Sequence, residues 1–202
     1  MSDGIEFVEA VSSEGQCVLE ADLLDEQELD RFILKARELE AELLWLHSNH
    51  DLTPHGFDRF PGYARLRAEH APQGLPLPQL EPKHFASILD GAYRGLWGHK
   101  LVRESAQPPP NASVLGLMGE SREPIGLCIV DRSERLVDGP GVLRDARVPA
   151  AYERLLLAAC AELGSGPIDL DSWGDSPAVI DAYRALGFEI LERTAGWQLR
   201  IE

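Results

Sequence analysis

One stretch of this chain lies over another without a gap: Cys17 to Asp51 over Gly141 to Asp175, at a constant spacing of 124 positions. The matches include Val18 with Val142, Leu19 with Leu143, Glu38 with Glu162, Leu39 with Leu163, Leu46 with Leu170, Ser48 with Ser172 and Asp51 with Asp175. Beyond a deletion, Gly56-Phe57, Arg59 and Gly62-Tyr63-x-x-Leu66-Arg67 match Gly187-Phe188, Arg193 and Gly196-Trp197-x-Leu199-Arg200. A repeat restricts the fold strongly, because each copy must build the same unit and bury its apolar side against a neighbour. Both copies predict strand, helix, strand, Gly-Phe, strand. Between the matched aspartate and the Gly-Phe pair, the first copy has only Leu52 to His55 where the second has Ser176 to Leu186. The first copy has therefore lost about two helical turns.

Charge separates the copies as well. Of the net charge of -15, residues 1–60 carry 15 acids against 4 bases, and residues 61–202 carry 19 against 15. An acidic surface repels phosphate backbones and anionic membranes, so neither nucleic acid nor a membrane is an expected partner. The second region tolerates an anionic ligand: it opens its long helix with Arg144, Arg147 and Pro149, where the first copy has Glu20, Asp25 and Glu26. The division expected from this contrast is a partial repeat over 1–61 and a complete unit over 62–202.

Periodicity places the elements. Gln16–Asp22, Ala41–Leu46 and Gly62–Arg67 predict strands, with Tyr63, Arg65 and Arg67 alternating against Ala64 and Leu66. Asp25–Ala41 predicts a helix whose acidic first turn suits its positive end. After a Pro-rich connector, Pro72–Pro82, Lys83–Trp97 predicts one or two short helices. Ser113–Met118 and Ile125–Asp131 predict a hairpin, and Leu136–Leu143 continues it. Pro149 suits the first position of a helix over Ala150–Leu163. Then follow a strand over Ile168–Trp173, a helix over Ser176–Leu186 and two short strands within Phe188–Ile201. The fold class is α/β (α+β): a mixed, mostly antiparallel sheet flanked by helices, preceded by a partial second copy.

Residues 62–202 resemble the GNAT superfamily of acyl-CoA-dependent N-acyltransferases. The resemblance rests on the element order and on Ala182-Tyr183-Arg184-Ala185-Leu186-Gly187-Phe188, with a tyrosine four residues before Gly-Phe, preceded by Leu170-Asp171-Ser172-Trp173-Gly174-Asp175. It implies a cofactor, acetyl-CoA, with its diphosphate at a helix N-terminus, where unpaired N–H groups and the positive dipole end hold anions. The family's loop, Arg/Gln-x-x-Gly-x-Gly/Ala, falls on Arg147-Val148-Pro149-Ala150-Ala151-Tyr152, so the arginine is kept and both glycines are replaced. Val142 and Leu143 match the strand that offers its backbone to the pantetheine arm, and Arg144 lies between them and the loop. Tyr183 matches the residue beside the thiol. Asp138 is the candidate base for the amine proton, with Glu134 second. The amine, on a small molecule or a peptide, attacks the thioester directly, so no enzyme nucleophile is needed.

Each residue also has a plainer reading. Tyr183 is otherwise a core aromatic, Arg147 a solvated residue at a helix start, and Asp138 a turn residue beside Gly139-Pro140-Gly141. Trp97 and Trp173 either line an acceptor pocket or fill the core. A competing function follows: a regulatory or CoA-binding relative that has lost catalysis. His47, His50, Asp51 and His55 match no zinc spacing, so no metal is expected. Cys17, Cys128 and Cys160 suggest buried free thiols in a reducing compartment. With no basic leader and no long apolar run, a cytoplasmic location is expected. Acceptor loops are expected in Leu96–Pro110, with the truncated copy as a second location, and exposed sheet edges would need cover from the chain itself or from a homodimer partner.

Overall fold

The computed structural model describes residues 7–12 and 14–202. Nine strands form one sheet: β1 (Val8–Val11), β2 (Cys17–Asp22), β3 (Leu43–Ser48), β4 (Asp58–Ala68), β5 (Ala112–Met118), β6 (Pro124–Asp131), β7 (Leu136–Val142), β8 (Ile168–Trp173) and β9 (Glu189–Arg200). Their spatial order is β1-β2-β3-β9-β4-β8-β7-β6-β5. Four helices flank it: α1 (Leu29–Glu38), α2 (Pro82–Tyr93), α3 (Pro149–Leu163) and α4 (Pro177–Ala185). Only β2 with β3 and β7 with β8 pair in parallel.

Successive strand residues point to opposite faces, and the core clusters follow that rule. Leu115, Cys128 and Val137 pack with α3 and α4, whereas Val114 and Leu127 pack with Phe85 and Ile88 of α2. Likewise Leu44 and Leu46 pack with Leu29 and Phe32 of α1, while Leu43 and Trp45 face the other way, towards Trp97. So α1, α3 and α4 cover one face, and α2 with the irregular segment 94–106 partly covers the other. The middle of that second face carries a charged ladder in place of a helix: Arg67 pairs with Asp169 at 2.7 Å, and the Tyr63 hydroxyl donates to Asp171 at 2.7 Å.

The last strand of each half crosses to the other half. β9 pairs with β3, β4 pairs with β8, and β4 and β9 pair with each other. The registers correspond: Leu46 faces Trp197 as Leu170 faces Leu66, and Ser48 faces Ala195 as Ser172 faces Ala64. Leu66 follows the buried Phe57 by nine residues, as Trp197 follows the buried Phe188. Gly62 and Gly196, matched in the sequence, are thus not equivalent by register. The ungapped match also fails ahead of the helices, since Glu20 faces Trp45 while the residue facing Asp169 is Leu136. The second half has extra chain between its parallel strand and its helix.

The expectations for the last strand and for Cys17 change. β9 is one strand of 12 residues rather than two, carried past Gly196 by pairing with two different neighbours. β1, only four residues long, was not expected from the sequence. The boundary at residues 61/62 lies inside β4, which is bound to both β8 and β9. Cys17 is exposed, while Cys128 and Cys160 are buried. In place of α4 the first half has a single 3-10 turn, Thr53–His55. No helix among the described residues is long and apolar enough to cross a membrane, and Met1–Glu6 lie outside them.

The strand crossing needs a close backbone approach. A Cβ on Gly62 would stand 2.4 Å from the Thr194 carbonyl oxygen and 2.6 Å from the Gly196 nitrogen, both backbone atoms that cannot swing aside. Gly62→Ala is therefore expected to lower stability by about 1–3 kcal/mol, read as a fall in Tm on thermal unfolding; an unchanged Tm would show that β4 and β9 can separate freely.

Candidate active site

β7 and β8 pair only from Leu136 to Asp138. Beyond Asp138 the chain bulges, with Gly139 at φ 45°, and Gly141 and Val142 pair with β6 alone. β7 and β8 therefore part at Asp138, and a cavity of about 400 Å³ lies there on the α2 face. Its walls include Leu89 and Tyr93 of α2, Trp97, His99 and Lys100 of the covering segment, Ile129, Asp138 and Trp173 of the sheet, and Glu20 and His47 of the first half. Trp97 reaches this position because Gly196 has no side chain: a Cβ there would lie 2.5 Å from the indole ring. A larger, more polar groove of about 640 Å³ shares Glu20, His47, Lys100 and Trp173 and runs along β2 and β3.

Charge in the cavity is unevenly compensated. Glu20 receives His47 at 3.0 Å and an ion pair from Lys100. Burial pushes its carboxyl up, but those two partners outweigh burial and hold it below the ordinary glutamate value. Among the described residues Asp138 accepts only the Trp173 indole N–H, at 3.1 Å, and burial pushes its carboxyl up, with Asp171 adding to the effect. His99 is almost fully buried, with Nε2 3.3 Å from Asp90 but off the line of a hydrogen bond, and burial lowers its pKa. The Trp97 indole N–H is buried without a partner.

The residues expected to hold the cofactor sit along the open side of β7 and the start of α3. Val142 is buried, and its carbonyl accepts Arg147 Nε at 3.1 Å. Leu143 donates its N–H to Ile125. Arg147 also donates to the carbonyls of Ala92 at 2.7 Å and Arg94 at 2.9 Å, tying α2 to β7. Arg144 is exposed in the 3-10 turn Arg144–Ala146. Val148, Pro149 and Ala150 are exposed at the α3 N-terminus, which has no side-chain cap, while the Ala151 N–H donates to Val148. Tyr152 turns inward and is buried, its phenol raised to about 12 chiefly by burial.

Tyr183 is wholly buried, its hydroxyl donating to Asp175 at 3.2 Å, and Ser172 donates to the same oxygen at 2.7 Å. It does not line the cavity. Tyr93 does, with its hydroxyl donating to the Gly139 carbonyl at 2.8 Å. Burial and then the Asp175 charge raise both phenols well above the usual tyrosine value. Glu134 is exposed in the β6–β7 turn, away from the cavity. His47, His50 and His55 engage Glu20, the Leu24 carbonyl and Glu26 separately. Trp97 and Trp173 line the cavity, and Trp97 also packs against Leu43 and Trp45. Tyr93, His99, Lys100 and Glu20 gave no site signal of their own, since no motif links them; the hints were the two expected acceptor regions, Leu96–Pro110 and the truncated copy.

An acyl-CoA fits this stretch in its essentials: an uncapped, exposed helix N-terminus for a diphosphate, exposed Arg144 beside it, and a β7 edge with no strand partner beyond Asp138. Side chains of the protein itself now satisfy that edge, Tyr93 at Gly139 and Arg147 at Val142.

Solved structures share this architecture across nearly the whole chain. A GCN5-related N-acetyltransferase from Kribbella flavida superposes with a TM-score of 0.53 at 13% identity, covering 92% of this chain and 81% of its own. The chain has the GNAT fold. A tandem GNAT protein from the clavulanic acid biosynthesis pathway matches over 100% of this chain and 85% of its own, with a TM-score of 0.52 at 15% identity. A conserved protein of unknown function from Staphylococcus epidermidis, at 11% identity, has a TM-score of 0.58 over 93% of this chain and 85% of its own. No family model and no curated protein sequence matches. Within the GNAT fold, then, Asp138 and the cavity lie where the two parallel strands separate.

Asp175, beneath that separation, carries a pH dependence. Burial raises its carboxyl to about 6, against the hydrogen bonds from Ser172 and Tyr183 that lower it. A raised acid binds more protons folded than unfolded, so its stabilisation is full below about pH 4 and is lost as pH rises through about 6. The Tm difference between Asp175→Asn and wild type should therefore grow in favour of the variant from pH 4.5 to 7.5; a constant difference contradicts this account.

Proposed function

We propose that this chain transfers an acetyl group from acetyl-CoA to the amine of a small molecule bound in the cavity at Asp138. The observation that carries the reading is the position of Asp138: a half-buried carboxylate with no cationic partner among the described residues, at the point where β7 and β8 part. Its raised pKa suits proton uptake near neutral pH better than an ordinary aspartate would. The Trp173 N–H fixes its orientation. As the amine arrives as an ammonium, Asp138 takes its proton and leaves the nitrogen lone pair free. Bound acetyl-CoA would supply an acetyl thioester, the C–S bond breaking as the amide forms.

Arg144 and the first-turn amides of α3 would hold the diphosphate, and the β7 edge from Gly139 to Val142 the pantetheine arm. Tyr183, matched to the thiol-side position, supports Asp175 from below, and protonation of the leaving thiolate would require its hydroxyl to turn from that carboxylate. In this reading the first half is a degenerate copy whose present task is to wall the cavity with Glu20 and His47. Three free thiols support a cytoplasmic setting, and neither nucleic acid nor membrane enters the scheme.

A second reading, a ligand-binding protein without catalysis, is favoured by one set of contacts: Arg147 is committed to three backbone carbonyls, one of them on Val142. Titration calorimetry with acetyl-CoA, followed by thiol release over an amine panel, separates the two. Transfer predicts binding and thiol release, with Asp138→Asn lowering kcat about 10²–10⁴-fold and leaving acetyl-CoA affinity unchanged. Binding without release supports the second reading, and no binding of acetyl-CoA removes the first.

A further inference from the structure

The cavity has the size of a small-molecule site, about 400 Å³, with mostly apolar walls. Its charges narrow the class of ligand. Of the two carboxylates that line it, Glu20 is already neutralised by Lys100 and bonded to His47, whereas Asp138 has only an indole N–H. One uncompensated negative charge accepts one cation. A second ammonium placed near Glu20 would meet Lys100 and be repelled. Most of the remaining wall is made by the rings of Tyr93, Trp97 and Trp173 with Leu89, Val102 and Ile129, beside His99 and three glycines. Aromatic faces hold a cation and an apolar body together. Finally, the Trp97 N–H is buried and unpaired, a costly state that an acceptor atom on the ligand would relieve.

We propose that the cavity selects a primary monoamine carried on an aromatic or aliphatic body that also bears one hydrogen-bond acceptor, and that Lys100 excludes polyamines by holding Glu20. The proposal rests on the acyl-acceptor reading of the cavity, but it concerns binding and is tested without an acyl donor. The ammonium pairs with Asp138, the body lies among Tyr93, Trp97 and Trp173, and the acceptor atom takes the Trp97 N–H.

The test is fluorescence titration of the full chain, whose cavity tryptophans report occupancy, with three probes: 2-phenoxyethylamine, its neutral analogue 2-phenoxyethanol, and spermidine. Phenoxyethylamine is expected to bind at least tenfold more tightly than either of the others. In Lys100→Ala, and in Lys100→Gln as a second variant should the first fold poorly, spermidine affinity is expected to rise at least tenfold while that of phenoxyethylamine moves less than threefold. Spermidine binding to wild type as tightly as phenoxyethylamine, equal binding of the neutral analogue, binding of none of the three, or no gain for spermidine in a folded Lys100 variant each overturns the proposal. Selective amine binding in a protein that never releases thiol from acetyl-CoA would overturn the transfer reading alone. Transfer to spermidine as efficient as to phenoxyethylamine would overturn this inference and leave transfer standing.

Discussion

The pairing of β4 with β9 holds the two halves of this chain in one sheet. Each half lacks a partner for its inner parallel strand and receives one from the other: β9 completes β3, and β4 completes β8. The two crossing strands must then lie side by side with their backbones close enough that residue 62 can carry no side chain. Neither half has a closed sheet without the other, so the shortened first half is a structural requirement of the second whatever its ancestry. The arrangement also places Glu20 and His47 beside Trp173, residues far apart in the chain, and so gives the cavity walls from both halves.

Where β7 and β8 separate, the fold faces a problem of unpaired backbone. Parallel strands that diverge leave carbonyl and amide groups without ladder partners, and buried groups of this kind are costly if unmet. Tyr93 and Arg147 meet them here, each from a different element. The same contacts tie α2 to β7 and so position Tyr93 at the cavity. Asp175, drawn under the separation by Ser172 and Tyr183, adds a polar centre in an otherwise apolar layer. The GNAT fold supplies the separation of strands; the particular way this chain fills it is set by its own side chains.

Much of the fold was legible from periodicity and punctuation. Pro149 opens a helix as its position suggested, and the alternation of Ala64 and Leu66 against Tyr63, Arg65 and Arg67 marked a strand, whose Ala64 and Leu66 side is the buried one. Partner choice was not legible, because a strand pattern states which face is buried and not which neighbour completes the ladder. For the same reason β9 resembled two strands, its glycine marking the place where Trp97 approaches instead of a turn. In the candidate site, Asp138 and the two tryptophans could be singled out by type and context. The contacts of Arg147 could not be read, since its register suggests a free cation while the structure shows three carbonyls around it. His99 and Lys100 belong to an irregular segment with no periodicity, so nothing in the sequence ties them to Asp138.

Both outer strands of the sheet are covered by connectors. Beside β5, the Leu80 N–H donates to Val114 and the Gly116 N–H to Pro78; beside β1, Lys100 bridges Ser12 and the Leu101 N–H donates to Val11. The second connector is also the roof of the cavity, through Trp97 and His99. Lifting that roof to admit a ligand would strip the cover from β1, so the conformation open to loading is also the one able to capture a foreign strand. A bound ligand that keeps the roof down would act, in addition to any chemistry, as a guard against self-association.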